Sequence, residues 1–202
     1  MNERGCVRFR LQNEIEIQLQ VPGRHQIYNA LAAASIGIYW GVPVDEIATA
    51  LANTTSYSKR MEWLELAESV ILLDAYNSNP DSLRVALETL VYVAQKRNGR
   101  AIAVLGDMLE LGEKSQPAHE QAGHWAASQK VAPLLVFGHF ARFYAVGYRE
   151  GGGSEVQLFA DKKDLADTLY QQLKKNDVVL IKGSRGMAME TVWQDLQRLA
   201  GK

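Results

Sequence analysis

The chain has 202 residues, 47% of them hydrophobic, and a net charge of −1 at pH 7 from 22 basic and 23 acidic side chains. That composition supports a sizeable buried core, and the interspersed charges argue against a surface built for nucleic acid or anionic lipid. The one cysteine, Cys6, cannot form an internal disulfide, which fits a reducing compartment.

Residues 1–11 carry Glu3, Arg4, Arg8 and Arg10 in place of the apolar centre of a signal peptide. No run of about 18 uncharged apolar residues is present, so no transmembrane helix is expected and a cytoplasmic setting is the expectation. Residues 6–11 and 15–19 alternate apolar with polar and read as two short strands around a turn at Gln12-Asn13. Val21-Pro22-Gly23 breaks that pattern. A helix is predicted over 26–40, favoured by the run Ala30-Leu31-Ala32-Ala33-Ala34. Gly41-Val42-Pro43 ends it. A second helix is predicted over 44–53, with Asp45 and Glu46 in the first turn, where the helix dipole favours them.

From about residue 65 short apolar runs alternate with helical patterns. Strands are predicted at 70–73, 101–105, 134–137, 156–159 and 178–181. Helices are predicted at 81–96, 117–129, 140–149, 162–175 and 187–199. Continuously apolar strands between helices imply an α/β fold with a mostly parallel sheet covered on both faces. Residues 1–64 are too few and too open for an ordinary domain and read as the end of a larger one. Residues 65–202 read as a complete doubly wound domain. The polar stretch Thr54-Thr55-Ser56-Tyr57-Ser58-Lys59 places a hinge close to 60–68.

In an open parallel sheet, ligands bind beyond the carboxyl ends of the strands. Those ends lead into Asp74–Ser82, Gly106-Asp107-Met108, Gly138–Arg142 and Lys182-Gly183-Ser184-Arg185-Gly186. In the last segment, two glycines, a helix start near Met187 and the charges of Lys182 and Arg185 make an anion site. A tight strand-to-helix turn with solvated basic side chains accounts for the same residues. No Walker-type Gly-x-x-x-x-Gly-Lys-Ser/Thr occurs. Asn79-Pro80-Asp81-Ser82 suits a helix cap, whereas Asp74 could accept hydrogen bonds from a ribose diol. Gln26 and Asn29 share a helix face; two carboxamides there suit a purine edge, or simply cap and solvate the helix. His119, His124 and His139 lack metal-ligand spacing and read as surface or core residues. The acidic run 107–113 reads as a loop cap or a substrate wall.

Several segments together resemble the Mur ligase family, the ATP-dependent amide-bond ligases of bacterial cell-wall synthesis. Gly23-Arg24-His25-Gln26-Ile27-Tyr28-Asn29-Ala30-Leu31-Ala32-Ala33 resembles the family's Gly-x-His-Asn-x-x-Asn-x-x-Ala-Ala, with Gln26 in the place of an Asn. Arg60-Met61-Glu62 resembles its Arg-x-Glu. Asp74-Ala75-Tyr76-Asn77-Ser78-Asn79-Pro80-Asp81-Ser82, Gly106-Asp107-Met108-Leu109-Glu110-Leu111-Gly112 and Lys182-Gly183-Ser184-Arg185-Gly186-Met187 are similar to segments of one member in particular. That member joins D-alanyl-D-alanine to UDP-N-acetylmuramoyl-tripeptide.

The resemblance implies that 1–64 ends a central ATP-binding domain and that 65–202 is the Rossmann-like C-terminal domain of a monomeric enzyme. ATP would phosphorylate the tripeptide carboxylate, and the dipeptide amine would then displace phosphate. Gln26 and Asn29 would contact adenine, Asp74 and Tyr76 ribose, and Arg60 the nucleotide phosphates. Asp107, Lys182, Ser184 and Arg185 would line the dipeptide side. The phosphate loop, the Mg²⁺ ligands and the family's modified lysine would lie upstream, so no catalytic residue is assigned here and the chain alone is expected to be inactive. Two rival readings are a folylpolyglutamate synthase-like ligase of the same superfamily and a nucleotide-binding module without catalysis.

Overall fold

The alternation in the first segment builds an antiparallel ribbon of β1 (Cys6–Leu11) and β2 (Ile15–Pro22), with Phe9 opposite Ile17 and Leu11 opposite Ile15. The structure is a computed structural model that describes residues 1–12, 15–56 and 58–201. Asn13 of the expected turn lies outside the described residues; Gln12 takes a left-handed conformation, φ 52°. Val7, Leu11, Ile17 and Leu19 pack with Ala30 and Ala34 of α1 (Gln26–Tyr39) and with Ile47 and Ala48 of α2 (Val44–Asn53). Small residues let α1 and α2 approach: a Cβ on Gly37 would lie 2.9 Å from Ile47 Cδ1. Tyr28, Ile36, Tyr39 and Trp40 remain exposed. These elements belong to one compact unit, Met1–Tyr57.

The second unit, Ser58–Lys202, is built on a six-stranded sheet. In chain order its elements are β3 (Glu62–Leu66), β4 (Ser69–Asp74), α3 (Pro80–Arg97), β5 (Ala101–Leu105), α4 (Ser115–Ser128), β6 (Leu134–Phe137), α5 (Ala141–Glu150), β7 (Val156–Phe159), α6 (Lys162–Gln172), β8 (Val178–Lys182) and α7 (Glu190–Leu199). The strand order is β3-β4-β8-β5-β6-β7, with β3 antiparallel to β4 and every other pairing parallel.

β3 is not among the predicted strands, because Glu62 and Glu65 interrupt its three apolar residues, Trp63, Leu64 and Leu66. It forms by pairing, with Glu62 opposite Leu73 and Leu66 opposite Ser69, across a tight turn in which Ala67 has φ 51°. The expected boundary after residue 64 falls inside this strand. The division between the units therefore comes earlier, at 57/58.

The period-two alternation of the central strands supplies two apolar layers. Ala103 and Leu105 pack on one face with Leu87, Leu90 and Tyr144, beneath α3, α4 and α5. Ile102 and Val104 pack on the other with Leu165, Leu169, Val192 and Leu196, beneath α6 and α7. The last strand, β8, inserts between β4 and β5. The helices that follow β4 and β5, α3 and α4, lie on one face of the sheet, whereas α7, which follows β8 between them, lies on the other. The carboxyl ends of these three strands are therefore the switch point, the crevice at which ligands bind in such sheets. At the opposite rim Asp177, 1% exposed, accepts hydrogen bonds from the Arg100 guanidinium and from Lys174 N, closing that end structurally.

The helices α4 and α5 are brought together by two glycines. A Cβ at Gly147 would stand 1.8 Å from Glu120 O, and one at Gly123 would stand 2.1 Å from Tyr144 O. A methyl group at either position forces the helix backbones apart and disturbs Tyr144, which is fully buried. Gly147→Ala should therefore lower unfolding stability in urea by about 1–3 kcal/mol, the usual cost of overpacking. An unchanged midpoint would show that the two helices can separate without cost.

Candidate functional site

The loops leaving β4, β5, β6 and β8 meet at the crevice. Backbone bonds carry the β5–β8 pairing past the strand ends: Gly106 N donates to Lys182 O at 2.8 Å, and Ser184 N donates to Asp107 O at 3.0 Å. The glycines here serve packing. A Cβ on Gly106 would lie 2.7 Å from Met189 Sδ, and one on Gly183 would lie 2.7 Å from Met189 Cγ. Met189 is fully buried, so both loops close directly over its side chain.

Lys182 does not project into solvent. It is 2% exposed; its Nζ donates to Asp74 Oδ2 at 2.5 Å and to Asn77 O at 2.9 Å. The other Asp74 oxygen accepts from Met61 N at 3.2 Å. Ser184 is buried as well: its hydroxyl donates to Ser78 O at 3.2 Å and accepts from Leu109 N at 2.9 Å. The buried Asp107 carboxylate accepts from His139 N and Phe140 N at 2.8 and 3.1 Å. Gly138, at φ 125°, allows this approach, since a Cβ there would meet the carboxylate at 2.4 Å. Lys182, Ser184, Asp107 and Asp74 are thus joined to the protein's own loops.

Arg185 differs. It is exposed, and its guanidinium carbon lies 5.2 Å from the centre of the Tyr76 ring. Arg60 lies over the same ring at 4.1 Å. Tyr76 N donates to Lys59 O at 3.1 Å, and Lys59 Nζ pairs with Glu190 at 2.6 Å. Burial raises the affinity of the Glu190 carboxyl for its proton, but the hydrogen bond and charge of Lys59 outweigh this and hold it below the usual carboxylate range.

The expected helix start near Met187 is corrected. Residues 185–187 make a single 3₁₀ turn, Ala188 is left-handed at φ 47° and ψ 47°, and α7 begins at Glu190. The left-handed residue breaks the helical bond pattern, so α7 starts five residues after Arg185 and not within the loop that carries it. By contrast, the cap expected at Asn79 is present: Asn79 Oδ1 accepts from Ser82 N at 2.8 Å, and Asn79 N donates to Ser82 Oγ at 3.1 Å.

Gln26 and Asn29 lie on α1 of the first unit. Asn29 Nδ2 donates to Gln26 Oε1 at 2.9 Å, and the Gln26 amide nitrogen lies 3.1 Å from His25 Nε2. The two carboxamides therefore form one linked polar group on the first helical turn. Among the described residues no group of three or more His, Cys, Asp or Glu side chains could hold a metal ion, and no helix is long and apolar enough to cross a membrane.

His119 is a structural part of the site that its sequence position does not reveal. It is fully buried, stacked on Phe140 and edge-on to Tyr144 at 4.8 and 4.7 Å. Met108 N can only donate, so Nε2 accepts that bond at 3.0 Å and Nδ1 carries the proton toward Ser115 O at 2.6 Å. Burial pushes its pKa below the ordinary histidine range, against the opposing pull of Ser115 and Asp107. His124 and His139 are exposed.

Residues 59–185 match the family described as Mur ligase, glutamate ligase domain. Among curated relatives, the chain is 38% identical over 190 residues to UDP-N-acetylmuramoyl-tripeptide–D-alanyl-D-alanine ligase of Mycobacterium leprae, covering 86% of this chain and 37% of the relative. It is 36% identical over 186 residues to the Escherichia coli protein of the same name, covering 91% and 39%. Among solved structures, MurF from Acinetobacter baumannii superposes with a TM-score of 0.84 at 26% identity, covering 96% of this chain and 43% of that one. MurF ligase from Thermotoga maritima in complex with ADP gives 0.82 at 25% identity, covering 97% and 44%. The chain thus spans about two fifths of the length of the relatives it matches.

The neutral His119 sets a pH dependence. The unfolded chain protonates near pH 6.5, while in the folded one burial disfavours the charged ring and Met108 N–H already occupies Nε2. This contribution to stability is therefore whole above about pH 6.5 and declines as pH falls below it. Urea unfolding at pH 7.5 and 5.5 should show a smaller loss for His119→Gln than for the unaltered chain. Equal losses would mean that His119 does not resist protonation.

Proposed function

The chain belongs to the Mur ligase family, and on that premise we propose that it is the C-terminal portion of an ATP-dependent ligase joining D-alanyl-D-alanine to UDP-N-acetylmuramoyl-tripeptide, in the cytoplasmic synthesis of peptidoglycan precursors. The observation that carries this reading is the 38% identity to a relative of that name across 86% of the chain. The unit Met1–Tyr57 would be the end of the central ATP-binding domain, and Ser58–Lys202 the C-terminal domain.

A free carboxylate is a poor electrophile. Transfer of the γ-phosphoryl group of ATP to the tripeptide carboxylate gives an acyl phosphate, whose carbonyl the dipeptide amine can attack; phosphate then leaves with the bonding electrons. Little of this chemistry requires a protein nucleophile, so positioning and charge dominate. In this reading Gln26 and Asn29 present their linked amides to adenine, and Arg60 faces the nucleotide phosphates. Arg185 takes the carboxylate of the dipeptide. Lys182, Ser184 and Asp107 act beneath them by fixing the loops. Asp74, with two hydrogen bonds already accepted, serves chiefly as the partner of Lys182 and keeps lone pairs for a ribose hydroxyl.

In this reading the phosphate loop and the Mg²⁺ ligands belong to the upstream part of the longer protein, as the family resemblance implies. The chain by itself should accordingly release no phosphate from ATP above a buffer control.

In the longer protein, Arg185→Ala should raise KM for D-alanyl-D-alanine far more than KM for ATP. Losing a hydrogen bond to a charged group costs about 1.5–3 kcal/mol, on the order of ten- to a hundredfold. Unchanged dipeptide kinetics would end the assignment of Arg185, and equal losses for both substrates would indicate a role in domain closure.

A further inference from the structure

We propose that Tyr76 is a positioning residue whose ring face, not its hydroxyl, holds Arg60 and Arg185 together as a two-guanidinium shelf for substrate anions. The inference rests on the ligase reading for the identity of those anions, a nucleotide phosphate and a peptide carboxylate; the shelf itself rests on geometry.

Both guanidinium carbons lie within cation–π range of one ring, at 4.1 Å for Arg60 and 5.2 Å for Arg185. Two cations gathered on one small side chain repel each other, so the arrangement favours an anion that bridges or flanks them. Arg185 has no carboxylate within ion-pair distance among the described residues. It is held at the rim by the ring and by its own short 3₁₀ turn.

The backbone that carries the ring is tied down at three successive residues. Tyr76 N donates to Lys59 O, Asn77 O accepts from Lys182 Nζ and Ser78 O accepts from Ser184 Oγ. Lys59 is anchored in turn, through Nζ to Glu190 and through its N–H to Glu62. A long flexible arginine loses much freedom when it grips an anion. A fixed π face removes part of that loss beforehand, and guanidinium is the cation best matched to phosphate and carboxylate. A hydroxyl contact to ribose would need only the Tyr76 oxygen. A shelf needs only the ring.

The test uses the 202-residue chain, with inorganic pyrophosphate as the anion and the arginine Nε–Hε signals in ¹⁵N–¹H spectra as the readout. Ring currents should displace both the Arg60 and Arg185 signals, and pyrophosphate should shift them further. Tyr76→Phe should preserve the displacement and the affinity. Tyr76→Leu should abolish the displacement and weaken pyrophosphate by roughly five- to twentyfold, since each cation–π contact contributes about two- to fivefold. The remaining amide spectrum, unchanged in Tyr76→Leu, separates this from unfolding; if the spectrum collapses, Arg60→Lys and Arg185→Lys must each weaken pyrophosphate instead. The proposal is overturned if the unaltered chain shows no arginine response, if Tyr76→Leu binds as well as the unaltered chain, or if Tyr76→Phe behaves like Tyr76→Leu. The titration asks nothing of the ligase reaction. A positive result beside an inactive longer protein would leave the shelf standing and remove the ligase reading.

Discussion

A buried ammonium group organises the crevice. Lys182 ends the central strand β8, where both faces of the sheet are covered, and an unpaired charge at such depth would be prohibitively costly. Asp74, ending the neighbouring strand β4 directly opposite it, neutralises that charge. A buried ion pair gives little net stability, but removing one partner leaves the other stranded, so the pair confers a fixed geometry. Each group also makes one further hydrogen bond, Lys182 to Asn77 O and Asp74 from Met61 N. The turn after β4 and the segment before β3 are held to the same point. The placement of Tyr76, and through it of Arg60 and Arg185, follows.

The polar residues of the rim thereby divide into two layers. The lower layer, Lys182, Asp74, Ser184 and Asp107, links four loops to one another and is largely closed to solvent. His119 supports it from the side, its neutral ring wedged between Phe140 and Tyr144 while it accepts the Met108 N–H. The upper layer holds the exposed Arg185 and the ring of Tyr76. Such an arrangement suits a site whose chemistry is done by the substrates: groups that touch ligand can be few if the groups beneath them do not move. Lysine and serine in a glycine-rich loop suggest a ligand cradle when read along the chain. In three dimensions the glycines accommodate Met189, and the lysine and serine bind other loops.

The apolar runs of β4, β5, β6 and β8 and the helical patterns between the strands were legible in the sequence, because a strand buried on both faces must be apolar throughout and a covering helix must be apolar along one stripe. The edge strand β7, half-exposed and carrying Gln157, was legible from its place between two such helical patterns. The cap at Asn79 was legible for the same local reason, since a capping box is satisfied within four residues. The strand β3 was not, because Glu62 and Glu65 interrupt its apolar residues and no helical pattern directly precedes it; it forms by antiparallel pairing with β4. The late start of α7 was equally hidden, since it depends on the left-handed Ala188, a residue with no intrinsic preference for that conformation.

Family membership, the class of fold and the set of rim residues were all determined by the sequence alone, because motifs and apolar periodicity are properties of neighbours along the chain. Which rim residues face solvent was decided only by the tertiary structure. Lys182 and Arg185 are three positions apart and carry the same charge, yet one is 2% exposed and ion-paired while the other is exposed over an aromatic ring. The difference arises because β8 runs between β4 and β5, so its last residue lies opposite Asp74 and the turn beyond it emerges from the sheet. No local pattern encodes that placement, since it comes from strands more than a hundred positions apart meeting in register.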